Sequence, residues 1–405
     1  YASGLVLGSE PDALAAERYL LYALVSRPRE RLTLSWHSAN EDGAPRSPSL
    51  FVEDVRDLFE DDLVEQTVRP RAVAAASAGA SLRPSAIEPL REQRVLDGLR
   101  GRRLWSASSL ESWTSCPVKW FVERMLRGAE IDPEPEPLAR GGLAHAALKD
   151  TLERLREQTG SARLTPASVG LARRLLVEAL ERHAQEFPLS VAPERLPGAW
   201  RRLQVDLERY LEHAASIDTQ LEPTYLELEF GFVDEPEPVV QLAATGSSPG
   251  QQPLEPLDLG EGVLLRGRID RVDVGPAGQV VVYDYKGRSA TPGAKWASEG
   301  SFQVALYMRA VERLLGHAPV GGFYQPLAGR DIRARGLFDA DSELELDCVR
   351  TDKRERAEFD VLLEECRAAA LRAAAEAKAG ALEPRPDTCA YRGGCMYPTI
   401  CRCER

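Results

Sequence analysis

The stretch "RIDRVDVGPAGQVVVYDYK", residues 268–286, constrains the fold more than any other part of the chain. β-Branched residues flank a Gly-Pro-Ala-Gly turn on both sides, which predicts a two-stranded hairpin. Folding it about Gly275–Gly278 sets Asp270 roughly opposite Asp284. Residues two apart in a strand share a face, so Asp284 and Lys286 project together and Tyr285 points the other way. Asp273 is a rival for the place of Asp270, because one bulge would exchange the faces.

Two carboxylates that face each other across strands repel. A divalent cation between them turns the repulsion into binding. Mg²⁺, or Mn²⁺ in its place, suits one or two carboxylates together with waters and phosphate oxygens. Such an ion acidifies a bound water and shields the charge that develops on a phosphodiester. Lys286 is placed to orient that water or to stabilise a charged transition state. The short Asp-Tyr-Lys pattern alone fits a surface ladder of charges better, and it is Asp270 in register that favours a metal site. His145, near the start of a helix in "RGGLAHAALKD", offers a third ligand, although a lone helical histidine is more often structural. Gln303 and Tyr307 share a helical face soon after the hairpin. They could bond a phosphate, a base or the site itself, or be merely surface and core.

The rest of the chain frames this hairpin. "SASSLESWTSCPVKWFVERML" predicts a helix capped by Ser108 or Ser109. "IDPEPEP", residues 131–137, predicts a loop. Helices are expected over "GGLAHAALKDTLERLREQ", 165–187 and 197–218, then an alternating strand over 224–233 and a long connection over 234–262. "SFQVALYMRAVERLLG" predicts a helix capped by Ser301, "APVGGFYQPL" a strand, and a long Ala-rich helix should stop at Gly380. The order helix, three strands, helix, strand predicts a mixed α/β core. The first eighty residues hold a helical pattern within 10–35, a short strand "LTLSW" and the low-complexity linker "AVAAASAGAS". The expected division is therefore 1–80 and 81–405.

Sixty-three acidic against fifty-one basic residues give a net charge of −12. That excludes a generally basic nucleic-acid coat, but not a local basic groove. Arg266, Arg268, Arg271, Lys286 and Arg288 cluster around the hairpin and are its candidates. No apolar run reaches membrane-spanning length, and no charged-then-apolar leader is present, so a cytoplasmic protein without membrane contact is expected. The chain opens on Tyr1 and reads as a piece of something longer.

Four of the seven cysteines fall in the last seventeen residues. That crowding fits a metal or cluster site better than a disulfide framework. Cys389, Cys395 and Cys401 are each separated by five residues. Cys116 is the leading fourth ligand and Cys403 the fallback, while Cys348 and Cys366 read as buried strand and helix residues. The wide spacings fit zinc knuckles poorly and favour a four-cysteine [4Fe–4S] site. With Cys116 included, it would staple the start of the unit to its end.

Together, "SASSLESWTSCPVKWFVERML", "RGGLAHAAL", "GRIDRVD", "VVYDYKG", "QVALY" and the C-terminal cysteines resemble the RecB-family nuclease domain of the PD-(D/E)XK superfamily. The iron–sulfur variant of AddB-type helicase–nucleases is the nearest pattern, over about residues 104–405. The resemblance implies a restriction endonuclease-like core, a mixed sheet flanked by helices, with extra helical elaborations. It implies that His145, Asp270, Asp284 and the Tyr285 carbonyl hold the catalytic metal, and that Lys286 is the catalytic lysine. Gln303 and Tyr307 match the QxxxY motif beside the DNA strand, and Cys116, Cys389, Cys395 and Cys401 match the cluster ligands. The first C-terminal gap is wider than the usual pattern, and Cys403 is extra. "AAERYLLYALVSRPRERLTLSW" resembles the last motif of a UvrD-type helicase, with Arg27 as its nucleotide-sensing arginine, and no Walker A loop is present.

The expected function is a metal-dependent DNA exonuclease that cuts single strands fed to it by a helicase–nuclease partner in double-strand break repair. The alternatives are a non-catalytic DNA-binding module and a stand-alone cluster nuclease that processes foreign DNA.

Overall fold

The computed structural model describes residues 10–39, 44–68, 87–126, 135–189, 195–232, 254–385 and 397–401. The chain divides into two compact units, 1–83 and 84–405. The first holds α1 (Glu10–Val25), α2 (Leu50–Arg56) and α3 (Asp61–Thr67). Ser49 caps α2 by accepting the Phe51 N–H. The strand expected over 32–36 is irregular instead, because no second strand stands beside it among the described residues of this unit.

The second unit is built on a mixed sheet. Its strands are β1 (Leu104–Ser106), β2 (Glu222–Phe230), β3 (Leu257–Gly260), β4 (Val263–Val274), β5 (Gln279–Lys286), β6 (Ala318–Pro326), β7 (Arg335–Asp339) and β8 (Lys353–Arg354). They run in the order β1-β4-β5-β6-β7-β8, and β2 and β3 also pair with β4. The twelve-residue β4 is the hub. Its first half lies between parallel β1 and antiparallel β3, its second half between antiparallel β2 and β5. β5 and β6 are parallel and need a crossover, which a helix supplies.

The helices are α4 (Gln93–Gly101), α5 (Ala107–Ser115), α6 (Pro117–Trp120), α7 (Pro135–Thr159), α8 (Val169–His183), α9 (Leu196–Ser216), α10 (Trp296–Glu299), α11 (Gln303–Leu315), α12 (Arg356–Ala379) and α13 (Pro398–Cys401). They divide between two apolar cores. Residues of α5, α11 and α12 pack with Ile269, Val272, Val280 and Val282 of the sheet. Residues of α7, α8 and α9 pack with Leu226, Tyr285 and Leu327. Strands β4 and β5 therefore lie between two helical layers, which fixes their side chains from both sides.

Several local expectations are corrected. Ser106, not Ser108 or Ser109, caps α5, its hydroxyl accepting the Ser109 N–H at 3.2 Å. α7 begins at Pro135, inside the expected loop, because proline is tolerated in a first turn. Phe302 occupies the cap position of α11, and no side chain of that segment caps the helix, so Ser301 does not do so. β3 lies within the expected connection, whose residues 234–253 fall outside the described ones. Cys348 sits in an irregular run, whereas Cys366 is buried in α12 as expected.

Candidate active site

β4 and β5 pair from Val274↔Val280 to Arg271↔Tyr283. The same diagonal sets Asp270 opposite Asp284. Ladder pairing stops there, and Asp270 Oδ2 accepts the Tyr285 backbone N–H at 2.6 Å. A side chain thus holds the strands together at the point where they part, and both acids are buried there.

Asp273 is excluded as a ligand of this site. Arg271 Nε lies 2.8 Å from Asp273 Oδ1, and the Arg271 guanidinium covers the Tyr283 ring at 4.1 Å and donates to the Tyr210 hydroxyl at 2.5 Å. This pair is buried on the opposite side of the hairpin from Asp284. Burial pushes Asp273 up to about 6, against the pull of Arg271.

The structure adds an acid that the sequence reading missed. β2 pairs Leu226 with Arg271 and Leu228 with Ile269, which sets Glu227 opposite Asp270. Glu227 has φ +51°, in the left-handed region. Its neighbours show the consequence, since Leu226 packs with the α7–α9 layer while Leu228 packs with the other core. A regular strand would put both on one face. The irregular residue is buried and aimed at His145, whose Nδ1 lies 3.3 Å from both Glu227 Oε1 and Asp270 Oδ1. Ligand atoms of His145, Glu227 and Asp270 all lie within 4.8 Å of one another. The His145 ring meets the Tyr285 ring edge-on, 5.5 Å between centroids, so the α7 layer fixes it in place.

Asp284 lies beside this trio, not within it. Lys286 Nζ is 2.7 Å from Asp284 Oδ2, yet that buried oxygen receives no hydrogen bond of proper geometry. Burial pushes Asp284 up to about 7, and Asp270 adds to the effect while Lys286 opposes it. Burial also raises Glu227. Burial works against the His145 imidazolium, but Asp270 and Glu227 outweigh it and hold its pKa well above the ordinary value. A site where buried acids resist ionising, one oxygen lacks a proper donor and an imidazole stands near suits a small divalent cation. The ion would supply the positive charge that these groups otherwise draw from protons.

Lys286 continues the arrangement. Burial disfavours its ammonium, but Asp284, Glu111 and Asp270 more than compensate, so it stays charged. Lys286 Nζ donates to Gln303 Oε1 at 3.3 Å, and Gln303 Nε2 donates to the Tyr307 hydroxyl at 3.0 Å. Gln303 and Tyr307, expected as a helical pair, therefore form a relay that ends on the lysine. The expected basic groove is smaller than supposed. Arg271 belongs to the opposite side of the hairpin, and Arg268 Nη2 pairs with Glu229 Oε1 at 2.5 Å. Arg266 lies over the Phe232 ring, and Arg288 is exposed just beyond β5.

Residues 104–402 match the PD-(D/E)XK nuclease superfamily. The chain belongs to that superfamily. It is 26% identical over 361 residues to the B-type subunit of the ATP-dependent helicase/deoxyribonuclease of Natranaerobius thermophilus, covering 74% of this chain and 29% of the relative. To the protein of the same name in Moorella thermoacetica it is 28% identical over 386 residues, 79% of this chain and 32% of the relative. To that of Symbiobacterium thermophilum it is 29% identical over 400 residues, 80% of this chain and 33% of the relative. The chain spans about a third of the length of these relatives. The AddB-type resemblance and the superfamily core read from the sequence are thereby borne out.

Cys116, between α5 and α6, and Cys401, at the end of α13, form a small buried cluster with Val118, against which Ile87 packs. Cys389, Cys395 and Cys403 lie outside the described residues. Cys366 belongs to the α5–α11–α12 core, and Cys348 packs against a third cluster around Phe323 and Phe338. No described helix is long and apolar enough to cross a membrane.

Proposed function

We propose that residues 81–405 form a metal-dependent DNA exonuclease domain that cuts single strands within a helicase–nuclease for double-strand break repair. The observation that carries this reading is the group His145, Glu227 and Asp270 with Asp284 beside it, where β4 and β5 part, and Lys286 next to Asp284. The relatives' shared name, a helicase/deoxyribonuclease, supports a helicase partner and a DNA substrate.

His145, Glu227, Asp270 and Asp284 would hold Mg²⁺ or Mn²⁺, with the Tyr285 carbonyl beside them. The bound ion supplies charge to acidify a water and to neutralise a phosphodiester oxygen. The protein's own groups do the rest. Asp270 locks the β5 backbone through the Tyr285 N–H, which fixes the spacing of the acids. Lys286 presents an ammonium to the negative charge that builds up on the phosphate. Gln303 restrains that ammonium, and Tyr307 restrains Gln303. The two helical layers keep bulk water from the strands behind the site.

We infer further that Cys116, Cys389, Cys395 and Cys401 hold a [4Fe–4S] cluster as a structural staple. What supports this is the meeting of Cys116 and Cys401 in one buried cluster from opposite ends of the unit. We read residues 1–80 as the end of a helicase-like region.

The deciding experiment is digestion of end-labelled single- and double-stranded DNA with Mg²⁺, comparing wild type with Lys286→Ala. Loss of cleavage of about 10²-fold or more is expected in the variant. Equal cleavage would remove the catalytic reading and leave a DNA-binding module.

A further inference from the structure

Glu111 is a half-buried acid that the reaction scheme above does not use. It sits on α5, and α5 packs against α11 and α12 in the first core. Its Oε1 accepts the backbone N–H of Gln303 at 2.7 Å, across 192 residues of sequence. Gln303 is the first residue of α11, a helix with no cap from its own segment. The first N–H groups of a helix have no partner within it, and a carboxylate there also meets the positive end of the helix dipole. Glu111 therefore does from another element what a cap residue does locally.

The surroundings tie this cap to the chemistry. The Tyr324 hydroxyl donates to the Ser301 carbonyl at 3.0 Å and reaches Glu111 Oε1 at 3.5 Å. Lys286 Nζ stands 5.0 Å over the Tyr324 ring. Asp284 and Tyr324 are register partners on β5 and β6. Glu111, Tyr324 and the start of α11 thus form one wall against the lysine. Gln303 contributes its backbone N–H to Glu111 and its side-chain oxygen to Lys286, so the cap fixes the residue that holds the ammonium.

We propose that Glu111 is a positioning residue for the nuclease reaction, capping α11 so that Gln303 aims its carbonyl at Lys286. This rests on the nuclease reading above. The position of α5 matters in turn. At its far end Arg385 donates to the Thr114 carbonyl and pairs with Glu376, to which Trp113 Nε1 also donates. Cys116 follows directly. One short helix therefore links the cysteine end of the unit to the lysine.

The test compares Glu111→Ala, Glu111→Gln, Gln303→Ala and the double variant Glu111→Ala/Gln303→Ala by steady-state cleavage, with melting followed in parallel. Glutamine keeps an acceptor oxygen, and alanine does not. Glu111→Ala should lower kcat about 10- to 100-fold while KM stays within about threefold, the mark of misplacement, not lost binding. Glu111→Gln should remain within about threefold of wild type, since the acceptor is kept. Glu111→Ala should cost nothing further once Gln303 is alanine, because the two act in series. Unchanged kcat in Glu111→Ala, equal losses in Glu111→Ala and Glu111→Gln, or additive losses in the double variant would each overturn the proposal. Lys286→Ala measured alongside separates the cases, since full activity there would refute the nuclease reading itself.

Discussion

At the scale of single residues, Glu227 shows how a site is assembled against local preference. A non-glycine residue at φ +51° costs about 1–3 kcal/mol and persists only where its surroundings over-determine it. Here the surroundings are Leu226 and Leu228, anchored in different cores, and the carboxylate adds the cost of its own burial. Glycine adopts positive φ freely. In metal-free protein, Glu227→Gly is therefore expected to melt at or above the wild-type temperature. The same variant should need about 10- to 100-fold more Mn²⁺ for half-maximal cleavage, or fail to cleave. Lower melting combined with an unchanged metal requirement would contradict both parts of this account. A calorimetric Mn²⁺ titration reads the second part without reference to activity.

At the scale of elements, the site depends on how closely α11 lies on β6. Gly322 makes that approach possible. A Cβ at this position would meet Val304 Cγ1 at 2.5 Å and Met308 Sδ at 2.8 Å. Gly267 on β4 does the same for Tyr307, whose ring would lie 2.7 Å from an added Cβ. Close contact here is what lets Gln303 and Tyr307 reach the strand edge. Gly322→Ala is expected to destabilise the fold by about 1–3 kcal/mol through overpacking. It should also lower kcat, since lifting α11 moves Gln303 away from Lys286 and Glu111. Denaturant unfolding with cleavage kinetics checks this, and a variant with wild-type stability would show that α11 yields without strain.

At the scale of the whole molecule, the ends of the nuclease unit meet. Leu90 N donates to the Gly380 carbonyl, and Cys116 and Cys401 share a buried cluster. A cluster held by both, as proposed above, would cross-link distant residues and limit the unfolded chain more than it alters the folded one. Cys116→Ala should therefore lower the melting temperature by several degrees even though Asp284 and Lys286 are untouched. Anaerobically purified wild type should be brown and contain about four irons per chain. A colourless, zinc-loaded protein would reject iron, and unchanged melting in Cys116→Ala would reject the staple. Chelation of Mg²⁺ alone should abolish cleavage and leave that colour in place.

The hairpin was legible in the sequence because its information is local. β-Branched runs, a Gly-Pro-Ala-Gly turn and a period of two suffice to pair Asp270 with Asp284 and to put Lys286 beside the latter. The long helix that stops at Gly380 was legible for the same reason, since Gly380 takes φ +73° at its C-terminus. Where the sequence left Asp270 and Asp273 as rivals, Arg271 decided, by burying its charge with Asp273 on the other side. Glu227 and Glu111 carry no local signal at all. One lies in a strand whose alternation breaks only because two cores claim its neighbours. The other caps a helix that begins 192 residues later. Pattern and period report what a residue's chain neighbours require; a buried carboxylate's role is set by whichever distant N–H, imidazole or ammonium the packing brings within about 3 to 4 Å, and that only the tertiary structure decides.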